Sequence, residues 1–240
     1  SEVVDGVVRG GGQASVGVIG QGTGGDFRKS LDIPHRLDAY LERLKKRDEK
    51  AVDVGLLQYT DTSGARVQTH FVNILSLGMG GLVDQYIADA SRALGGTIAY
   101  FAASTRALAN IRAGKLRCTV TGPNGTEEKR IDTLMLAICN GQYFGSGMHV
   151  APTAKLSDGL FDIVTFHATS KLAFAAQSRG VYSGSHLKDG VATMFQAEKL
   201  TIELLNDDAR DVFLLDVDGE SRSGFPLDIS VLPGAVRVCT

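Results

Sequence analysis

Val16-Gly-Val-Ile-Gly-Gln-Gly-Thr-Gly-Gly-Asp-Phe-Arg-Lys-Ser30 is the stretch on which the reading of the chain turns. Its apolar start, Val16, Val18 and Ile19, reads as a buried strand, and Gly20, Gly22, Gly24 and Gly25 crowd the turn after it. A helix-like segment begins directly at Asp26. Glycine permits positive φ and close backbone approach, so strand, glycine turn and helix is how α/β proteins bring N–H groups to a phosphate. The turn adds a hydroxyl, Thr23, and a carboxylate, Asp26. An ordinary tight βα connection has the same composition, and the glycines alone do not separate the two readings.

Working outward, 240 residues make one large domain or two modest ones. A net charge of −2 gives no bulk electrostatic basis for a nucleic-acid partner. The 29 glycines are well above average usage, which suits tight turns between short strands. Cys118, Cys139 and Cys239 lie far apart with no Cys-x-x-Cys pair. That excludes a disulfide framework or zinc site and fits reduced thiols in a cytoplasmic protein. No apolar run approaches the ~18 residues of a membrane span, and no signal-peptide pattern opens the chain. His35, His70, His149, His167 and His186 show no metal-ligand spacing, and Gly145-Ser-Gly147 lacks the spacing of a nucleophile elbow.

The chain opens in mid-pattern. Val3, Val4, Val7 and Val8 form one apolar helical face at once, with no initiator methionine, so an N-terminal part is expected to be missing. After the short helix from Asp26 to Ser30, closed by Ile33-Pro34, Leu37, Tyr40, Leu41 and Leu44 mark a second amphipathic helix. It ends in the charge run Lys45 to Lys50, read as a solvated helix end. Then the texture changes to strand-like runs: Val52 to Gln58, Val67 to Leu77, Leu116 to Thr121, Ile131 to Cys139, Phe161 to Phe166, Leu200 to Leu205, Val212 to Val217 and Leu227 to Cys239. Turn signals such as Gly122-Pro-Asn-Gly separate them, and helical interludes occupy Leu82 to Ile111 and Lys171 to Tyr182. The expected fold class is therefore α/β followed by β: an incomplete α/β part, then a β-sandwich or barrel.

Three motifs lie in the β part. Asn140-Gly-Gln-Tyr-Phe-Gly-Ser-Gly-Met-His-Val-Ala-Pro152 is a glycine-rich strand exit, and Asp158-Gly159 turns into the strand Phe161-Asp-Ile-Val164. Leu215-Asp-Val-Asp-Gly-Glu220 places Asp216, Asp218 and Glu220 at alternate positions, which on one strand would put three carboxylates on one face. Like charges that close require a cation, a proton or solvent. Each Asp-Gly is equally a hairpin turn signal. Residues 97–111, with Ile98, Tyr100, Phe101 and Leu108, read either as pocket lining or as plain core.

In order, Gly-x-Gly-Thr-Gly-x-Asp-Phe (20–27), Val-Asp-Val-Gly (52–55), Phe-Val-Asn-Ile-x-Ser-Leu-Gly (71–78), Asn-Gly-x-Tyr-Phe-Gly-x-Gly-Met with Ala-Pro and Leu-x-Asp-Gly-Leu-Phe-Asp (140–162), and Val-Asp-Gly-Glu (217–220) resemble the bacterial diacylglycerol-kinase-type lipid kinases. These are relatives of sphingosine and ceramide kinases and, more distantly, of NAD kinases. The resemblance covers nearly the whole chain. The opening Ser-Glu-Val-Val-Asp-Gly is similar to the helix after the family's Gly-Gly-Asp-Gly-Thr nucleotide motif, which this sequence does not contain.

The resemblance implies a nucleotide-binding α/β domain represented by residues 1–54, a β-sandwich domain over 55–240 whose last strands return to the first, and an active site between them. It implies ATP and magnesium as cofactors and a lipid hydroxyl as acceptor. By position, Gly22, Thr23, Gly24 and Gly25 would face ATP phosphates, and Asp26, Asp53 and Glu220 would complete the cofactor-binding set, the first two through a magnesium–water network. Asp158, with the carbonyls of Lys155 and Leu160, matches a structural magnesium site, and Asp218 the general base. Gly25 stands where the family usually has Asn. Contact with a membrane is expected to be peripheral and transient, no amphipathic basic helix announces it, and a homodimer stays open. Two other readings remain: a kinase of another alcohol such as NAD, or a non-catalytic ligand-binding remnant. Without Gly-Gly-Asp-Gly-Thr the chain alone is expected to have little kinase activity.

Overall fold

A computed structural model describes residues 2–12, 14–20, 25–89, 96–167, 170–177 and 179–240. The glycine turn at 21–24, and with it Gly22, Thr23 and Gly24, lies outside the described residues. The amphipathic opening forms α1 (Glu2–Arg9), followed by β1 (Ser15–Gly17), α2 (Asp26–Ser30) and α3 (Leu37–Lys46). Next come β2 (Glu49–Asp61), β3 (Arg66–Phe71), β4 (Ile74–Gly78), α4 (Met79–Asp89) and α5 (Gly96–Asn110). The chain continues through β5 (Gly114–Gly122), β6 (Gly125–Cys139), β7 (Tyr143–Phe144), β8 (Met148–His149), β9 (Phe161–His167), α6 (Lys171–Gln177) and α7 (Arg179–Ser183). It closes with β10 (Ala192–Ala197), β11 (Lys199–Leu204), β12 (Leu214–Val217), β13 (Glu220–Arg222) and β14 (Gly224–Cys239). No helix among the described residues is long and apolar enough to cross a membrane.

The strands build a twelve-stranded sheet in the order β13-β12-β4-β6-β5-β11-β14-β2-β3, with β9 and β10 continuing from β6 and β1 added to β14. Every pairing is antiparallel except β1 on β14. The sheet curls, bringing β10 beside β5. Long β14 spans the molecule: Leu227–Ser230 pair with β11, and Arg237–Cys239 pair with β1. Its register against β2 shifts between Gly224 and Leu227 and again between Leu232 and Val236. Pro226 and Pro233 fall inside those two shifts, because proline has no N–H to give a ladder.

Alternation explains the core. In β5, Leu116, Cys118 and Val120 point inward, and in β11 Leu200, Ile202 and Leu204 do. They join Phe71, stacked on Phe161 with centroids 5.5 Å apart, Ala103 and Ala107 of α5, and Ile111 just after it. A second cluster lies under the 144–154 loop, and a third gathers Val4, Leu31, Ile33 and Tyr40 onto Val52, Val54, Val236 and Val238. α1 is further pinned to β3: Asp5 Oδ1 lies 2.7 Å from His70 Nδ1, and Arg9 Nη2 donates to the Gln68 carbonyl at 2.6 Å. The boundary expected after Val54 falls inside β2.

Three differences from the sequence reading matter. The apolar run 67–77 is not one strand: β3 and β4 are separated by Val72 and Asn73, whose N–H groups turn to a carboxylate instead of a ladder. The helical segment read from Leu82 begins earlier, at Met79, and among the described residues it comprises α4 and α5. Asp216, Asp218 and Glu220 do not share one strand, because Asp218-Gly219 is the turn between β12 and β13, and Glu220 pairs back against Val217.

Candidate active site

The break at Val72-Asn73 is where the sheet builds a site. Asp218 stands in the left-handed region at φ 52, which Asp and Asn tolerate better than other side chains. Its own N–H donates to the Ile74 carbonyl at 3.0 Å, locking the β12–β13 turn over the start of β4. Its Oδ2 accepts from Val72 N–H at 2.8 Å, and its Oδ1 from Asn73 and Ile74 N–H at 3.0 and 2.9 Å. Burial pushes the Asp218 carboxyl above its ordinary value, against the opposing pull of those backbone donors.

Asp216, two residues earlier on β12, is 6% exposed and faces the same space. It accepts from Gly219 N–H at 2.7 Å and from the Ser76 hydroxyl at 3.2 Å. Asp84 of α4 meets it: burial, followed by the Asp84 carboxyl, holds Asp216 well above the usual carboxylate range, and burial raises Asp84 against the lowering effect of its hydrogen bond with Asp216. Two buried carboxyls in contact ionise together only at high cost, so the pair keeps a proton. Gly81 makes the meeting possible. A Cβ there would lie 2.6 Å from the Leu215 backbone, so only glycine lets α4 settle on β12 and bring Asp84 to Asp216.

These groups line a cavity of ≈ 980 Å³. Its walls are mostly apolar, with Met79, Val83, Phe144, Met148, Phe166 and Phe174 among them. One face of α5, Tyr100, Phe101, Ser104, Thr105 and Leu108, forms another wall, while Ala103 and Ala107 on its other face, and Ile111 just after the helix, enter the core. The segment is therefore both lining and core; the Ile98 side chain lies outside the described residues. Burial first, then Tyr182 and the carboxyls of Asp84, Asp216 and Asp26, push the Tyr100 phenol up to about 12, so it stays a neutral hydroxyl.

Asp26, at the start of α2, also lines the cavity. Lys29 Nζ reaches its Oδ1 at 3.0 Å, and Ser146 N–H its Oδ2 at 2.9 Å. Ser30 Oγ accepts from Gln142 N–H at 2.9 Å, so α2 is stitched to the glycine-rich 140–149 loop. Gly25, the residue before α2, has φ 55 and ψ 33. Glycine and Asn are the residues that take this conformation most readily.

Asp53, Asp158 and Glu220 are not brought to this cavity. Asp53 is 2% exposed; its Oδ1 accepts from Gly234 N–H and its Oδ2 from Gly159 N–H, each at 2.7 Å, so it clamps two turns. Asn140 reinforces the clamp, donating to the carbonyls of Asp53 at 2.8 Å and Val72 at 2.7 Å. Asp158 lies in the turn below, with Gly159 and Leu160, on a separate cavity of ≈ 450 Å³. Its Oδ1 accepts from Leu160 N–H at 3.2 Å; burial, helped by the Asp162 and Asp53 carboxyls, raises it. Lys155 is exposed there. Glu220 is paired with Arg222. Among the described residues no three His, Cys, Asp or Glu side chains are arranged to hold a metal. Asp84 is the cavity carboxyl that sequence reasoning missed. Its signal was a lone acid behind Leu82-Val83, one turn after the Gly80-Gly81 pair.

Comparison with known proteins gives the family. Residues 73–240 match the YegS C-terminal NAD kinase beta sandwich-like domain, and residues 1–57 the diacylglycerol kinase catalytic domain. The lipid kinase YegS of Escherichia coli K12 is 25% identical over 224 residues, 93% of this chain and 68% of its own length. A "Probable lipid kinase YegS-like" protein of Yersinia enterocolitica is 28% identical over 223 residues, again 93% and 68%. A Bacillus anthracis protein classed with the diacylglycerol kinases shares the fold at a TM-score of 0.71 and 23% identity, over 99% of this chain and 73% of that one. The chain belongs to the YegS-type lipid kinases, within the diacylglycerol kinase family.

Proposed function

We propose that this member of the lipid kinases carries the acceptor side of a phosphoryl transfer from ATP to the hydroxyl of a diacylglycerol-like lipid, with Asp218 taking the hydroxyl proton. The observation that supports the reading is one cavity of ≈ 980 Å³ whose apolar walls suit acyl chains and whose polar end holds a carboxylate aimed by three backbone N–H groups. Phosphoryl transfer is mostly positioning and charge stabilisation, so a fixed base beside a fixed hydroxyl is what the acceptor side requires. A carboxylate has about four lone-pair sites. Two on Oδ1 and one on Oδ2 are taken, leaving one on Oδ2 for the substrate hydroxyl. Burial raises the Asp218 carboxyl, which brings it nearer the pH at which a base is most effective.

The donor nucleotide is assigned to the stretch of Gly22, Thr23 and Gly24 that runs into Gly25 and Asp26. Magnesium, when bound through oxygen ligands and water, neutralises phosphate charge. The oxygen donors around Asp158 suit such a hard cation at a structural position, and its neighbours Asp53 and Asp162 leave negative charge for one to offset. The test is an acceptor panel: the intact natural protein with labelled ATP, offered diacylglycerol, other long-chain alcohols and NAD. Labelled phosphatidic acid or another phosphorylated lipid is expected. Phosphorylation of NAD and of no lipid would replace this reading with that of a dinucleotide kinase.

A further inference from the structure

The mouth of the large cavity carries large apolar side chains that are exposed among the described residues. Phe101 of α5 is 74% exposed and Tyr182 of α7 54%, and both also line the cavity. Leu172 of α6 is 83% exposed, one turn before the lining residues Phe174 and Ala175. The helices form one rim: Lys171 Nζ donates to the Ala109 carbonyl at the end of α5 at 2.6 Å, and Phe174 packs edge-on against Phe166, centroids 5.9 Å apart. Charge points the same way. Residues 96–115 carry Arg106, Arg112 and Lys115, and residues 170–188 carry Lys171, Arg179 and Lys188, with no Asp or Glu in either stretch of a chain whose net charge is −2. Arg106 lies over the Tyr86 ring at 4.1 Å, and Arg112 is ion-paired with Asp208 at 3.7 Å.

We infer that the rim of α5, α6 and α7 is the surface by which the protein docks on an anionic lipid bilayer, with Phe101, Leu172 and Tyr182 entering the interface and the cations meeting the headgroups. The inference rests on the cavity being the acceptor site. A lipid with two long chains leaves a bilayer for water at a cost that rises with every methylene, so a mouth applied to the interface lets the chains move between two apolar phases. None of the three helices alone is basic and amphipathic. The surface is assembled from separate segments, with apolar side chains at its centre and cations around them, as interfacial binding requires.

The experiment is flotation of the protein with vesicles of phosphatidylglycerol and phosphatidylcholine, or of phosphatidylcholine alone. Expected is binding to the anionic vesicles that weakens with added salt, and a fall of about tenfold or more in partition for Leu172→Asp and for Phe101→Ser, with unchanged thermal melting. Binding by both variants equal to that of the parent, or no binding of the parent to anionic vesicles, overturns the inference. Leu172 does not line the cavity, so Leu172→Asp in the intact natural protein separates the two readings. Phosphorylation of dispersed short-chain dioctanoylglycerol should persist while that of long-chain acceptor in vesicles drops. Vesicle binding that is lost in Leu172→Asp, in a protein that phosphorylates no lipid, would keep the surface and reject the acceptor assignment.

Discussion

Replacing Asp218 by Asn isolates the chemical role of the site from its architecture. The backbone at φ 52 suits Asn as well as Asp, so the substitution adds no backbone strain. The amide oxygen can take the place of Oδ1 and accept from Asn73 and Ile74 N–H. The amide NH2 then faces the Val72 N–H that Oδ2 accepted at 2.8 Å, donor against donor. One buried unsatisfied donor costs about 1–3 kcal/mol, partly offset because a buried charge has been removed. The variant should therefore be folded but less stable in urea. Loss of a general base costs about 10²–10⁴ in rate, or about 3–5 kcal/mol of barrier. Because the base acts in the transition state, kcat and kcat/KM should fall together with KM little changed. Single-turnover transfer in the intact natural protein, read well below the melting temperature, gives these quantities. The parent's rate should decline toward acid as Asp218 takes up its proton, and the variant should lack that limb. A folded Asp218→Asn protein within about twofold of the parent rate, with the same acid limb, would refute the base assignment.

Other expectations follow from the same geometry. The Asp84–Asp216 pair binds more protons folded than unfolded, because both carboxyls are raised from 3.8. Its contribution to stability is thus complete below the ordinary carboxylate range and lost as pH rises through the folded values. Asp216→Asn should flatten that loss, and urea titrations should show the variant gaining on the parent as pH rises above the ordinary carboxylate range; an unchanged difference would contradict the shared proton. Asp53→Ala strands the Gly159 and Gly234 N–H groups and should lower stability by about 2–4 kcal/mol, while transfer by the protein that remains folded survives at low temperature. Loss of transfer without loss of stability would return Asp53 to the cofactor network. Gly25→Asn should melt within a few degrees of the parent, whereas Gly25→Val, forced to φ 55, should melt well below it.

Much of this was legible in the sequence. The strand-like run Leu116 to Thr121 and the short helix from Asp26 to Ser30 both appear as read. What failed were features set by distant residues. Phe71-Val-Asn-Ile74 is apolar enough to read straight through, and only Asp218, 146 residues from Val72 in sequence, shows why the strand stops. β10 escaped notice because Ala192-Thr-Met-Phe-Gln-Ala197 alternates weakly, its strand state coming from pairing with β9. Asp84 is not singled out by the sequence, because its meaning depends on Gly81 allowing contact with β12. The carboxylates expected to converge divided by turn geometry: Asp216 and Asp218 entered the cavity, and Glu220 turned back with β13.

The central claim, that a lipid occupies the ≈ 980 Å³ cavity with its hydroxyl at Asp218, is tested most directly by photolabelling with a long-chain diacylglycerol carrying a diazirine at the chain end, followed by peptide mass spectrometry. The account predicts label on cavity residues such as Met79, Phe144, Met148 and Phe174, competed away by unlabelled diacylglycerol. Saturable label found elsewhere, with these residues untouched, would contradict it.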